Sequence, residues 1–260
     1  MVAMDQRESL RTMFRDHGLD DGDGRIERFK VAVARELAPH ASGLLIEPAF
    51  ADAVTPFVEQ GLILAVDVLE QERGGPVEDT ALDEDVAPPA GVVALKLLVI
   101  WRDDERRAER VAMARRFVEL ARERGVLSVL EPVVRDDAQI VDAARELGAL
   151  RPSLYKCQVP NRGRGDPEEI TRRCREIDAA LPVPWVVLSQ GVDPANFLRA
   201  VEAACKGGAS GTLAGRAVWT PAVAADDPAE VLRSYSVPRL HELAAIVDAH
   251  GRPWREKGER

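Results

Sequence analysis

Short apolar runs of strand length alternate along this chain with longer amphipathic stretches crowded with Arg and Glu. The runs fall at Val2–Met4, Gly43–Ile46, Leu62–Val66, Val92–Ile100, Leu127–Leu130, Ser153–Lys156, Trp185–Leu188 and Gly211–Ala214, which makes eight. Helical patterns at Glu27–Leu37, Arg102–Arg124, Ala138–Leu147, Pro167–Ala180, Pro194–Lys206 and Val237–Ala249 separate most of them. The clearest is Arg102–Arg124, where Met113, Ala114, Phe117, Leu120 and Ala121 form one apolar stripe at helical spacing. Runs such as VVALKLLVI and WVVL lack an exposed face, as in a parallel sheet whose outer side is covered by helices. Eight strands alternating with helices in 260 residues predict a single-domain (β/α)8 TIM barrel spanning 1–260. The alternative is an open doubly wound sheet.

Two segments break the rhythm. Residues 69–89, LEQERGGPVEDTALDEDVAPP, are acidic and rich in Gly and Pro, and read as a long active-site or mobile loop after strand three. Residues 161–166, NRGRGD, read as a flexible basic loop after strand six.

Composition narrows the function. A hydrophobic content of 46% supplies a full core, and a formal charge of −9 argues against a nucleic-acid binder. Cys157, Cys174 and Cys205 lie far apart with no CxxC pair, which reads as reduced thiols in a cytoplasmic protein. The N-terminal MVAMDQRESL does not have the form of a signal peptide, and no apolar run is long enough to span a bilayer, so no membrane partner is expected. DDGDGRIE (Asp20–Glu27) fails as a calcium loop, because Leu19 and Lys30 would occupy its first and twelfth positions. His17, His40, His241 and His250 lack metal spacing. Neither a metal nor a cofactor is expected.

The active site of such a barrel lies at the C-terminal ends of its strands. The polar residues there are Asp5, Gln6 and Arg7, Glu47, Asp67, Lys96, Glu131, Lys156, Ser189 and Gln190, and Arg216. Lys96 inside VVALKLLVI and Lys156 inside PSLYKCQVP carry the most information, since lysine is rarely buried unpaired. Two ammonium groups converging in the interior should lower at least one pKa, which supplies the neutral amine of Schiff-base chemistry. The plainer reading is a salt bridge to Glu131 or Asp67, and both readings fit one site. Glu131 is either a general acid/base or a charge partner. LSQGVDP and LAGRAVW place Ser189, Gly191, Gly215 and Arg216 where barrels bind phosphate, after strands seven and eight; the alternative is two ordinary glycine turns.

Taken together, MDQRESL, LLIEPAF, LEPVV, LYKCQVP, LSQGVDPANF and LAGRAVW, in this order, resemble the class I aldolases of the tagatose-1,6-bisphosphate aldolase type. That group includes the sulfofructose-1-phosphate aldolases. The resemblance runs from end to end and implies Lys156 as the Schiff-base lysine, Lys96 as its neighbour and Glu131 as acid/base. It implies Ser189, Gly191, Gly215 and Arg216 as the phosphate cradle, with Asp5 and Gln6 at the mouth of strand one. The implied reaction is reversible cleavage of a phosphorylated ketose, tagatose bisphosphate-like or sulfofructose phosphate-like, into dihydroxyacetone phosphate and an aldehyde. The expected partner is thus a small phosphorylated sugar, with homo-oligomer formation left open. Cys157 and Gln158 depart from the Val and Glu common in the motif, and strand one begins directly after Met1, where relatives carry a segment capping the barrel bottom. The rivals are a deoxyribose-phosphate-type or other Schiff-base lyase, and a non-catalytic sugar-phosphate-binding regulatory barrel.

Overall fold

The computed structural model describes residues 1–59 and 61–255. Seven parallel strands form one sheet in the order β1 (Val2–Ala3), β2 (Leu44–Ile46), β3 (Leu62–Ala65), β6 (Val92–Ile100), β7 (Leu127–Val133), β8 (Leu154–Cys157) and β9 (Trp185–Val187). β4 (Asp67–Gln71) and β5 (Val77–Leu82) form a separate antiparallel pair. The eighth stave of the barrel is the segment at residues 211–214, which bridges Val187 through Thr212 and Val2 through Ala214, both in parallel. Hydrogen bonds from Leu213 N to Val187 O at 3.0 Å and from Ala3 N to Ala214 O at 2.8 Å close the ring. The eight expected staves are therefore all present.

The outer layer comprises α1 (Glu8–Asp16), α2 (Asp23–Leu37), α3 (Ala51–Val54), α4 (Arg107–Glu123), α5 (Ile140–Gly148), α6 (Pro167–Ala180), α7 (Pro194–Lys206), α8 (Arg216–Trp219), α9 (Pro228–Val231) and α10 (Val237–His250). Strand alternation divides the core in two. Outward residues such as Leu95, Leu97 and Val99 meet the helices in the main core. Phe14, Phe29 and Trp219 pack edge to face there, and the Trp219 indole donates to Ala3 O at 3.0 Å. Inward residues form layers along the barrel axis. Ala3, Leu45, Ile63, Ala65, Ala94, Val129, Val186 and Leu213 make an apolar floor. One step toward the mouth stand Lys96, Glu131 and Lys156, and beyond them an apolar collar of Ile100, Val133 and Leu188.

The main departure from the sequence pattern is residues 69–89, which contain most of the β4–β5 hairpin rather than a loop. Its polar composition conceals it, because Asp79 is buried against Arg110 of α4 at 2.9 Å and Thr80 donates to Leu98 O at 2.7 Å. Helix α1 was also not evident, since only Leu10 and Phe14 of its nine residues are buried. Residues 161–166 begin with a tight turn in which Asn161 and Arg162 both have φ 52°, a left-handed conformation costly for side chains other than glycine. At the bottom of the barrel, Met1, Ile63, Val93, Leu127 and Trp254 help line a cavity of about 310 Å³, so the segment after α10 contributes to that end.

Leu213 is fully buried on the closing stave. Leu213→Ala should lower unfolding free energy by about 2–5 kcal/mol in urea titration, as expected for truncating a packed core aliphatic. A loss below about 1 kcal/mol would show that the closing segment is not packed into the floor.

Candidate active site

Every residue of the charged layer is fixed by a strand end. Asp5 and Arg7 follow β1, Glu47 follows β2, Asp67 opens β4 directly beyond β3, and Lys96, Glu131 and Lys156 project from β6, β7 and β8. Lys96 Nζ lies 2.7 Å from Asp5 Oδ2, 3.0 Å from Asp67 Oδ1 and 3.2 Å from Glu131 Oε2. Glu131 Oε2 also lies 2.8 Å from Lys156 Nζ, so one carboxylate oxygen bridges the two lysines. Arg7 completes the layer at 3.2 Å from Asp67. Three cations, Arg7, Lys96 and Lys156, thus face three carboxylates, Asp5, Asp67 and Glu131.

For Lys96 the ion pairs to Glu131 and Asp67, one of the two readings open from the sequence, are present. Burial alone would push the Lys96 ammonium down, but Asp5, Asp67 and Glu131 together hold it well above the ordinary lysine range. The three carboxylates thus favour Lys96 as an ammonium. Burial likewise pushes Asp5 upward, yet Lys96, Lys156 and Arg7 hold its carboxyl well below the usual range. Lys156 has a single ion-pair partner among the described residues, Glu131.

A cavity of about 610 Å³ opens above the layer, lined by Asp5, Gln6, Lys96, Glu131, Gly191 and Arg216 among others. Lys156, 3% exposed, stands behind Glu131 rather than on the lining, and Ser189 and Gly215 back the residues that do line it. The loops after β9 and the closing stave meet where Gly215 N donates to Ser189 Oγ at 3.2 Å. Gly215 has no space for a side chain, since a Cβ would lie 2.8 Å from Ala3 O and from Gln6 Nε2. Gly191 has φ 73°, which favours glycine, and rests against the Arg162 side chain. Helix α7 is capped by Asp193, which accepts from Ala195 N at 2.9 Å. Arg216 is depressed by burial, with Asp5 and Glu131 partly offsetting the effect.

Two functional features escaped sequence reasoning. Arg162 lines the cavity beside Gly191; the only hint was the basic character of NRGRGD. Lys30 of α2 is fully buried and donates to Met4 O at 2.7 Å, Gln6 O at 2.9 Å and Glu47 at 2.6 and 2.8 Å. It thus clasps the chain on both sides of Asp5. Burial pushes the Lys30 ammonium down and the Glu47 carboxyl up, each against the pull of the other. The available signal was a lysine interrupting the apolar stripe Ile26, Phe29, Val33 and Leu37. Of the departures from the motif, Gln158 is occupied by the Val134 backbone, accepting from Val134 N at 2.7 Å, and Cys157 is buried with its thiol pushed up. Among the described residues, no group of three or more His, Cys, Asp or Glu is placed to hold a metal ion. His40 and His241, distant in sequence, meet at 3.1 Å on the outer layer.

Fold and site together define an α/β barrel with a buried lysine–carboxylate layer at its C-terminal mouth. The DeoC/LacD family aldolase model matches residues 1–221, and the chain belongs to that family, an aldolase and hence a carbon–carbon lyase. It is 27% identical to tagatose 1,6-diphosphate aldolase 2 of Enterococcus faecalis, over 98% of this chain and 91% of that protein. It is 25% identical to tagatose 1,6-diphosphate aldolase of Listeria monocytogenes, over 98% and 89%. Its fold is similar to that of an archaeal fructose-1,6-bisphosphate aldolase solved with its catalytic lysine bound to a carbinolamine intermediate: TM-score 0.60, 19% identity, 95% of this chain and 93% of that one. A Corynebacterium glutamicum protein gives a TM-score of 0.65 at 15% identity, over 96% and 85%. No helix among the described residues is long and apolar enough to cross a membrane.

The depressed Asp5 carboxyl sets a pH dependence. A group whose folded pKa lies below its unfolded value of about 3.9 contributes stability above that pH and loses it as pH falls toward the folded value. Wild-type protein should therefore lose stability on acidification below about pH 4, and Asp5→Asn should show a shallower acid limb in urea titrations across pH. Identical acid limbs would show that Asp5 is not held by the lysine layer.

Proposed function

We propose that this aldolase works through a Schiff base at Lys156, cleaving a phosphorylated ketose reversibly into dihydroxyacetone phosphate and an aldehyde. The observation that carries this reading is the unequal treatment of the two lysines. Lys96 is pinned as an ammonium by three carboxylates, whereas Lys156 shares one oxygen of Glu131. Proton transfer from Lys156 to Glu131 leaves a free amine, which a nucleophilic lysine requires. The relatives named as tagatose 1,6-diphosphate aldolases support a sugar phosphate as substrate.

In this scheme Glu131 swings away from Lys156 as the ketone carbon approaches Nζ. The amine adds to that carbon and water leaves, giving a protonated imine. Glu131 gives the proton it took to the departing hydroxyl and, a carboxylate again, accepts the proton of the hydroxyl on the carbon at the far end of the breaking bond; that bond cleaves and the aldehyde departs. The bonding electrons enter the imine as an enamine; protonation and hydrolysis release dihydroxyacetone phosphate and restore the amine. Lys96 remains cationic beside the developing charges, and Asp5 keeps it in place. Arg216, Arg162 and Gly191 hold the phosphate, with Gln6 beside them and the Ser189–Gly215 contact fixing the two loops behind.

Lys156→Met should abolish cleavage, while Lys96→Met should retain some and lose about 10²-fold in kcat, the cost of removing one oriented electrostatic group. Activity in Lys156→Met together with none in Lys96→Met would exchange the two roles. Arg216→Ala should raise KM for a phosphorylated ketose at least about tenfold, since a charge-assisted hydrogen bond contributes about 1.5–3 kcal/mol. Unchanged KM would make Arg216 structural.

A further inference from the structure

The part of the cavity beyond the charged layer is divided by polarity. On the side of the closing stave, Arg162 and Arg216 line the cavity with no ion-pair or hydrogen-bond partner among the described residues. On the side of β6, β7 and the hairpin, the arginines are already matched. Arg135 lies 2.6 Å from Glu78, Arg102 3.4 Å from the same carboxylate, and Arg7 holds Asp67. Between them stands the collar of Ile100, Val133 and Leu188, with Val77 and Leu98 packed against it.

Position relates this collar to the reaction. Val133 follows Glu131 by two residues on the same face of β7, and its register partner on β6 is Ile100. Leu188 directly precedes Ser189, and two residues before it Val186 pairs with Lys156. With the phosphate on the arginine side and the ketone carbon at Lys156, the aldehyde half extends onto the collar. Gln158 is anchored to the Val134 backbone by both ends of its amide, at 2.7 and 3.3 Å, which leaves it one N–H donor toward that half. A second phosphate or sulfonate there would lose its hydration against aliphatic side chains and meet Asp67, while the arginine on that side, Arg135, is already paired with Glu78.

We infer that the aldehyde half of the substrate ends in an uncharged apolar group, an alkyl or terminally deoxygenated chain, seated on Val77, Leu98, Ile100 and Val133. This inference rests on the Schiff-base reading above. The test is the aldol direction, with dihydroxyacetone phosphate and a series of propanal, butanal, pentanal and glyceraldehyde 3-phosphate. For wild type, kcat/KM should rise about threefold per added methylene and exceed that for glyceraldehyde 3-phosphate at least about tenfold. Val133→Ser should flatten the series. A flat wild-type series, no consumption of the alkyl aldehydes, or a preference for glyceraldehyde 3-phosphate would overturn the inference. Borohydride trapping with dihydroxyacetone phosphate alone separates the two levels. Without an adduct the Schiff-base reading fails; with an adduct and a preference for the charged aldehyde, only the apolar end fails.

Discussion

A lysine on the inner face of an apolar stave must be neutralised where it stands, and in this barrel the whole mouth is organised around doing so for Lys96. Three carboxylates from three different strand ends converge on one ammonium. Each is costly to bury alone, and removing any one partner would strand the others. Glu131 spans the gap to Lys156, so the two lysines share one oxygen. The layer holds as many positive as negative groups, and a protonated imine on Lys156 carries the same charge as the ammonium it replaces. Covalent chemistry can therefore proceed without leaving an unbalanced charge inside the barrel.

The surrounding architecture supports that balance at a distance. Lys30 bonds the carbonyls of Met4 and Gln6 and so fixes the backbone on either side of Asp5, which sets where Asp5 meets Lys96. The Trp219 indole, bonded to Ala3 O, holds the same strand from the other side. On the anion side, two consecutive left-handed residues place Arg162 over Gly191, a local strain of roughly 1–3 kcal/mol per residue that the surrounding packing sustains. Strain of this kind, in a loop lining a cavity, is what a positioned cation requires.

Much of this was legible in the sequence because parallel staves are written as uninterrupted apolar runs, so that Lys96 inside VVALKLLVI and Lys156 inside LYKC stand out against them. Glycines 191 and 215 were legible for a related reason: the backbone there has no room or no allowed conformation for another residue. What stayed hidden depends on contacts between distant residues. The β4–β5 hairpin is polar because its charges are met by Arg110 and its neighbours on α4. The direction of the Lys96 shift could not be read either, since spacing shows two lysines approaching but not three carboxylates closing around one of them.

The central claim is that Lys156, not Lys96, forms the covalent bond, because three carboxylates hold Lys96 whereas Lys156 meets Glu131 alone among the described residues. The direct test is to incubate the wild-type enzyme with dihydroxyacetone phosphate, reduce with borohydride, digest and locate the modified peptide by mass spectrometry. The account requires a single adduct on the peptide bearing Lys156 and none on the peptide bearing Lys96. An adduct on Lys96 would contradict it.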